Sequence, residues 1–222
     1  MNQTQPYLQI ALDSTDLSTA LNDVHHVADA VDVIEVGTVL AFSEGMHALK
    51  TLRQHYPQHI LVCDMKLLDA GETLAEMAFA SGANWVTVGA AAHIETVRSA
   101  QRIAQQFNGE IQIELFGHWT IEDAKLWVES GVTQAIYHRS RDAQAAGVGW
   151  GEHDLLLMEQ LSEVGLELSI TGGIVPEDIH LFKNIRAKSF IAGRALANHD
   201  GNTIHDGKTI AREFRKQINH YW

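Results

Sequence analysis

The stretch Val62-Cys63-Asp64-Met65-Lys66-Leu67-Leu68-Asp69 combines residue types that can do chemistry at a spacing that brings them together. It continues an apolar run, Ile60-Leu61-Val62. Side chains alternate faces along a strand, so Asp64 and Lys66 share one face while Cys63 and Met65 share the other. Opposite charges on the buried face of an apolar strand are costly unless they meet partners, a metal or a substrate. That cost points to chemistry at the strand's end.

Other strand-like runs must position this pair. They are Leu8–Asp13, Val31–Gly37, Ile60–Lys66, Trp85–Ala90, Ile111–Phe116, Gln134–His138, Glu167–Thr171 and Ser189–Ala192. Helical patterns lie between them at Thr73–Ser81, Glu95–Phe107, Ile121–Ser130 and Asp154–Val164. Gly82, Gly109, Gly131 and Gly165 are placed to close helices in the left-handed conformation, and Thr120-Ile121-Glu122-Asp123 reads as a capping box. Eight strand–helix units in a chain of 222 residues predict an α/β fold, a single-domain (β/α)8 TIM barrel spanning residues 1–222. The competing open, doubly wound sheet favours a glycine-rich turn after its first strand. Here Asp13-Ser14-Thr15-Asp16 follows instead.

A barrel carries its site at the C-terminal strand ends. Read in order, those ends bring Asp13, Glu35, Asp64 with Lys66, His93, Glu114, His138, Thr171-Gly172-Gly173 and Gly193-Arg194 to one rim. Asp13, Glu35, Asp64 and Glu114 cannot all stay ionised at close range without neutralisation. Lys66 supplies one positive charge, and a divalent cation would supply more. All-oxygen ligands favour Mg²⁺, with Glu35 and Asp64 on neighbouring strands as its ligands. Thr171-Gly172-Gly173 and Gly193-Arg194 close strands seven and eight, where barrels bind phosphate, and Arg194 adds a bidentate cation. Asp69 admits two readings, because Asp69-Ala70-Gly71-Glu72 also has the form of a capping box. The 13 histidines form no zinc motif, since Pro57 interrupts the helix that would align His55 with His59.

Composition narrows the partners. With 16 basic and 28 acidic residues the formal charge is −12, which repels nucleic acid and anionic membrane and favours small molecules or protein partners. No apolar run nears the roughly 20 residues that span a bilayer. Met1 to Asp13 lacks the form of a secretory signal, and a lone cysteine, Cys63, fits a reducing cytosol. A cytoplasmic protein is expected.

The spacing Asp64-x-Lys66-x-x-Asp69 resembles the third-strand signature of the orotidine-monophosphate-decarboxylase superfamily. Within it, Tyr137 to Gly147 (YHRSRDAQAAG), Ile34–Thr38, Gln112–Leu115 and Ile191–Arg194 look like the 3-keto-L-gulonate-6-phosphate decarboxylases, and the likeness runs from Leu8 to about Arg215. The resemblance implies Mg²⁺-dependent decarboxylation of a phosphorylated sugar acid, through an enediolate, to L-xylulose 5-phosphate and CO₂ in L-ascorbate breakdown. It gives Glu35 and Asp64 as metal ligands and Lys66 as the electrophilic lysine. Asp69 would serve the neighbouring subunit's site in an obligate homodimer. Glu114, His138 and Arg141 match residues around the proton-delivering water. Asp13 and Thr171 match substrate contacts, and Gly173, Gly193 and Arg194 match the phosphate pocket. Rival readings are the aldolase 3-hexulose-6-phosphate synthase, orotidine monophosphate decarboxylase itself, which works without a metal, and a non-catalytic sugar-phosphate binder.

Overall fold

The computed structural model describes residues 5–140, 144–197 and 207–222. Eight strands alternate with helices along the chain: β1 (Tyr7–Leu12), β2 (Val33–Val36), β3 (Ile60–Leu67), β4 (Trp85–Gly89), β5 (Glu110–Glu114), β6 (Gln134–His138), β7 (Glu167–Thr171) and β8 (Ala187–Ala192). Each pairs in parallel with the next, and β8 pairs back onto β1, which closes the barrel and removes the open sheet from contention. The helices that matter below are α1 (Leu17–Val27), α2 (Thr38–Glu44), α3 (Met46–His55), α4 (Gly71–Ala80), α5 (Ile94–Gln106), α6 (Ile121–Glu129), α7 (Glu152–Val164) and α8 (Gly207–Tyr221).

Strand alternation divides the core in two. On β1, Leu8, Ile10 and Leu12 join the apolar layer shared with the helices, whereas Gln9 and Ala11 point into the barrel. Cys63 belongs to the helix-side layer, and burial, with Asp64 and Glu35 nearby, pushes its thiol up to about 12. The barrel interior holds two small apolar clusters, Val33/Val62/Trp85 and Ala11/Ile136/Ile191, together with the buried polar residues Gln9, Gln112, Gln134, Ser169 and Ser189. Buried polar groups need partners, and here most find one another, although the Gln112 carbonyl oxygen has no partner among the described residues. Gln134 donates to Glu110, Gln112 to Gln134 and Ser169, Ser169 to Ser189, Ser189 to Gln9, and Gln9 to Glu35. A hydrogen-bonded chain therefore crosses the barrel and ends on a carboxylate at its mouth.

Two local expectations are corrected. Gly82, Gly131 and Gly165 do take positive φ, but at α5's end Asn108 (φ 53°) holds the left-handed position instead of Gly109. Gly109 is required by space: a Cβ there would sit 2.4 Å from the Phe79 ring. The Asp69–Glu72 capping box does not form either. Ala70, itself left-handed at φ 51°, is the cap residue of α4 and makes no side-chain cap, while Asp69 accepts only from its neighbour Ala70 N–H. The Thr120/Asp123 capping box forms as read.

Candidate active site

A cavity of about 700 Å³ opens at the C-terminal strand ends. Asp13, Glu35, Asp64, Lys66, Glu114, His138, Thr171, Gly173, Gly193 and Arg194 all line it. Asp69 does not; it is exposed beyond the end of β3. Arg141 lies outside the described residues. His93 caps α5, its ring accepting from Glu95 N–H at 3.2 Å, and is no part of the cavity.

Lys66 is the centre of the arrangement. Its Nζ donates to Asp64 Oδ2 at 2.6 Å and to Thr38 Oγ1 at 2.7 Å. Glu114 Oε2 is 3.0 Å away, close enough to pair but off the hydrogen-bond direction, so that buried oxygen has no aligned donor. The Phe116 ring lies 5.6 Å from Nζ. Burial works against the ammonium, but Asp64 and Glu114 outweigh it and raise its pKa, so Lys66 is firmly cationic. Burial likewise works to raise the Asp64 pKa, yet Lys66, Thr38 and Thr87 hold it below the usual range.

Glu35 is in the opposite position. Burial, then Asp64 and Asp13, drive its pKa well above the usual range, against weaker help from Lys66 and the Gln9 amide. A buried carboxylate so placed is neutralised by a proton or by a hard cation. No group of three or more His, Cys, Asp or Glu among the described residues forms a ready-made metal cage. Mg²⁺ needs none, since it commonly takes one or two carboxylates and completes its shell with water and substrate oxygens. Glu35 and Asp64 fit that ion in donor type and charge.

On the far wall, Glu114 links two functional groups. Its Oε1 meets His138 Nδ1 at 2.9 Å while Oε2 faces Lys66. With Nδ1–H directed at a carboxylate, Nε2 becomes the nitrogen available for proton transfer. Phe116 packs on the imidazole with centroids 4.8 Å apart. Burial raises the Glu114 pKa, opposed by the bond to His138.

The β7 and β8 ends form the cationic side. Gly172 (φ 110°) and Gly173 (φ 68°) bend the loop, and Arg194 Nη2 donates to Gln144 Oε1 at 2.7 Å. Thr171 Oγ1 donates to Ile191 O, tying β7 to β8. Arg139 supports this loop from behind. It donates to the carbonyls of Gly172, Gly173 and Val148 and stacks 4.8 Å over Trp150.

Gln9, Thr38, Thr87, Phe116, Arg139 and Gln144 escaped the sequence reading. Gln9 carried a signal, since it is a polar residue on the same strand face as Asp13. Thr87, between Val86 and Val88, carried none.

The model of the orotidine 5′-phosphate decarboxylase / HUMPS family matches residues 6–208. A 3-keto-L-gulonate-6-phosphate decarboxylase of Escherichia coli is 52% identical over 219 residues, covering 99% of this chain and 97% of its own length. The crystal structure of 3-keto-L-gulonate-6-phosphate decarboxylase from Vibrio cholerae is 57% identical with a TM-score of 0.93, covering 99% of this chain and all (100%) of that one. A 3-hexulose-6-phosphate synthase from Salmonella typhimurium shares the scaffold at 26% identity and a TM-score of 0.87, over 97% of this chain and 100% of its own. A closed barrel with these residues at its mouth and relatives matched along their whole length establish that this chain belongs to the orotidine 5′-phosphate decarboxylase / HUMPS family.

Proposed function

We propose that this chain decarboxylates 3-keto-L-gulonate 6-phosphate to L-xylulose 5-phosphate and CO₂, in L-ascorbate breakdown in the cytoplasm, with Mg²⁺ as cofactor. The observation that carries the reading is the Lys66 ammonium, held at the cavity mouth by Asp64, Thr38 and Glu114. Loss of CO₂ from a β-keto acid breaks a C–C bond and leaves its electron pair as an enediolate. A fixed ammonium beside the developing oxyanion stabilises charge where it appears, with no reorganisation at the moment of reaction. Mg²⁺ on Glu35 and Asp64 would act as a Lewis acid on the substrate oxygens. Arg194, Gly173 and Gly193 anchor the phosphate, and Asp13 and Thr171 contact the sugar. His138, oriented by Glu114, returns a proton to carbon through water from Nε2, a step in which the family resemblance also gives Arg141 a part.

Purified protein with 3-keto-L-gulonate 6-phosphate and Mg²⁺ is expected to release one CO₂ per substrate consumed. No release, with condensation of formaldehyde onto ribulose 5-phosphate instead, would assign the aldolase.

The exposed position of Asp69 supports service to a second subunit, since its carboxylate does not line its own cavity. A homodimer with shared sites follows. Asp69→Asn and Lys66→Met are each expected to be inactive alone. Mixed under exchange, they should recover about a quarter of wild-type activity, because half the dimers then carry one intact site. Absence of recovery in confirmed mixed dimers would place Asp69 outside the reaction.

A further inference from the structure

We propose that Thr87 is a positioning residue that sets where Lys66 and Asp64 meet, an inference that rests on the catalytic reading of those two groups. The strand register carries it. Cys63 lies opposite Val86 and Leu67 opposite Val88, so Asp64, Met65 and Lys66 together face one β4 residue, Thr87. Such a bulge takes residues out of the regular ladder and re-aims their side chains. Lys66 turns left-handed there at φ 48°, a conformation that needs outside support in a residue with a side chain.

Thr87 gives that support with one hydroxyl. Its Oγ1 accepts from Lys66 N–H at 2.8 Å, in place of a strand carbonyl, and donates to Asp64 Oδ1 at 2.8 Å. A hydroxyl has one proton to give and lone pairs to accept with, so the two bonds are compatible and use it in both senses. Thr87 is completely buried. The Thr38 hydroxyl also bonds both residues but meets only their side chains, whereas Thr87 holds the Lys66 backbone N–H. Thr87 does not itself line the cavity; it acts by holding the backbone of one lining group and the carboxylate of the other. If threonine merely filled space here, valine, its near-isostere, would serve equally well.

The test uses the full-length protein. Thr87→Val is expected to lower kcat about 100-fold, the scale of an ångström's misplacement, with KM changed less than about threefold. Thr87→Ser, which keeps the hydroxyl, should restore kcat to within about threefold of wild type. Amide exchange at Lys66 gives a readout independent of turnover. It should be protected in wild type and in Thr87→Ser, and at least about tenfold faster in Thr87→Val. Wild-type kcat in Thr87→Val, a serine variant as slow as the valine variant, or an unprotected Lys66 amide in wild type would each overturn the proposal. An inactive wild type with the exchange pattern intact would instead overturn the catalytic reading and leave the positioning geometry standing.

Discussion

Replacing Lys66 with methionine is expected to lower kcat by about 10³-fold while leaving binding of a phosphate-bearing ligand near wild type. The two effects separate because the groups sit on different walls. Lys66 belongs to β3 and bonds Asp64 and Thr38, whereas the phosphate-binding elements are at the ends of β7 and β8. Removing one preorganised donor to an oxyanion commonly costs 10²- to 10³-fold. The upper part of that range applies here, since the variant also leaves Asp64 facing Glu35 and Glu114 without the ammonium that offsets their repulsion. Lys66→Arg should rescue little. An ammonium's three rotatable donors suit partners arranged around one nitrogen, which a planar guanidinium cannot reproduce. Single-turnover CO₂ release and titration with L-xylulose 5-phosphate read the two quantities. Turnover near the wild-type rate would remove Lys66 from the mechanism.

Stripping divalent cations is expected to abolish turnover, by at least about 10²-fold, with recovery on adding Mg²⁺. The reason lies in Glu35, buried and facing Asp64 and Asp13. Without a cation it tends to hold a proton, and the substrate oxygens would lack the positive charge that a bound Mg²⁺ would supply there. Full activity in excess chelator, with metal content verified as nil, would refute the cofactor assignment.

The periodicity of the chain was sufficient for much of this. All eight strands appear where apolar runs predict them, and the four helices read from sequence end within a few residues of the observed ones, because period-two and helical patterns are local consequences of burying one face. Strand-end acids, Lys66, His138 and the paired glycines were legible for the same reason: polar groups interrupting apolar runs stand out against their neighbours. Asp69 was ambiguous in sequence because a capping box and a site residue share one pattern, and backbone geometry at Ala70 decided against the cap.

The sequence by itself determined the number of strand–helix units, the shared face of Asp64 and Lys66, and most of the polar groups that reach the rim, His93 excepted, since these depend on residue type and spacing. Tertiary structure alone decided that β8 closes onto β1, that β3 bulges around Thr87, and that Thr38, Gln9 and Phe116 surround the charged centre. Those contacts join residues distant in the chain, and the register that makes them is a property of packed strands, which no local pattern encodes.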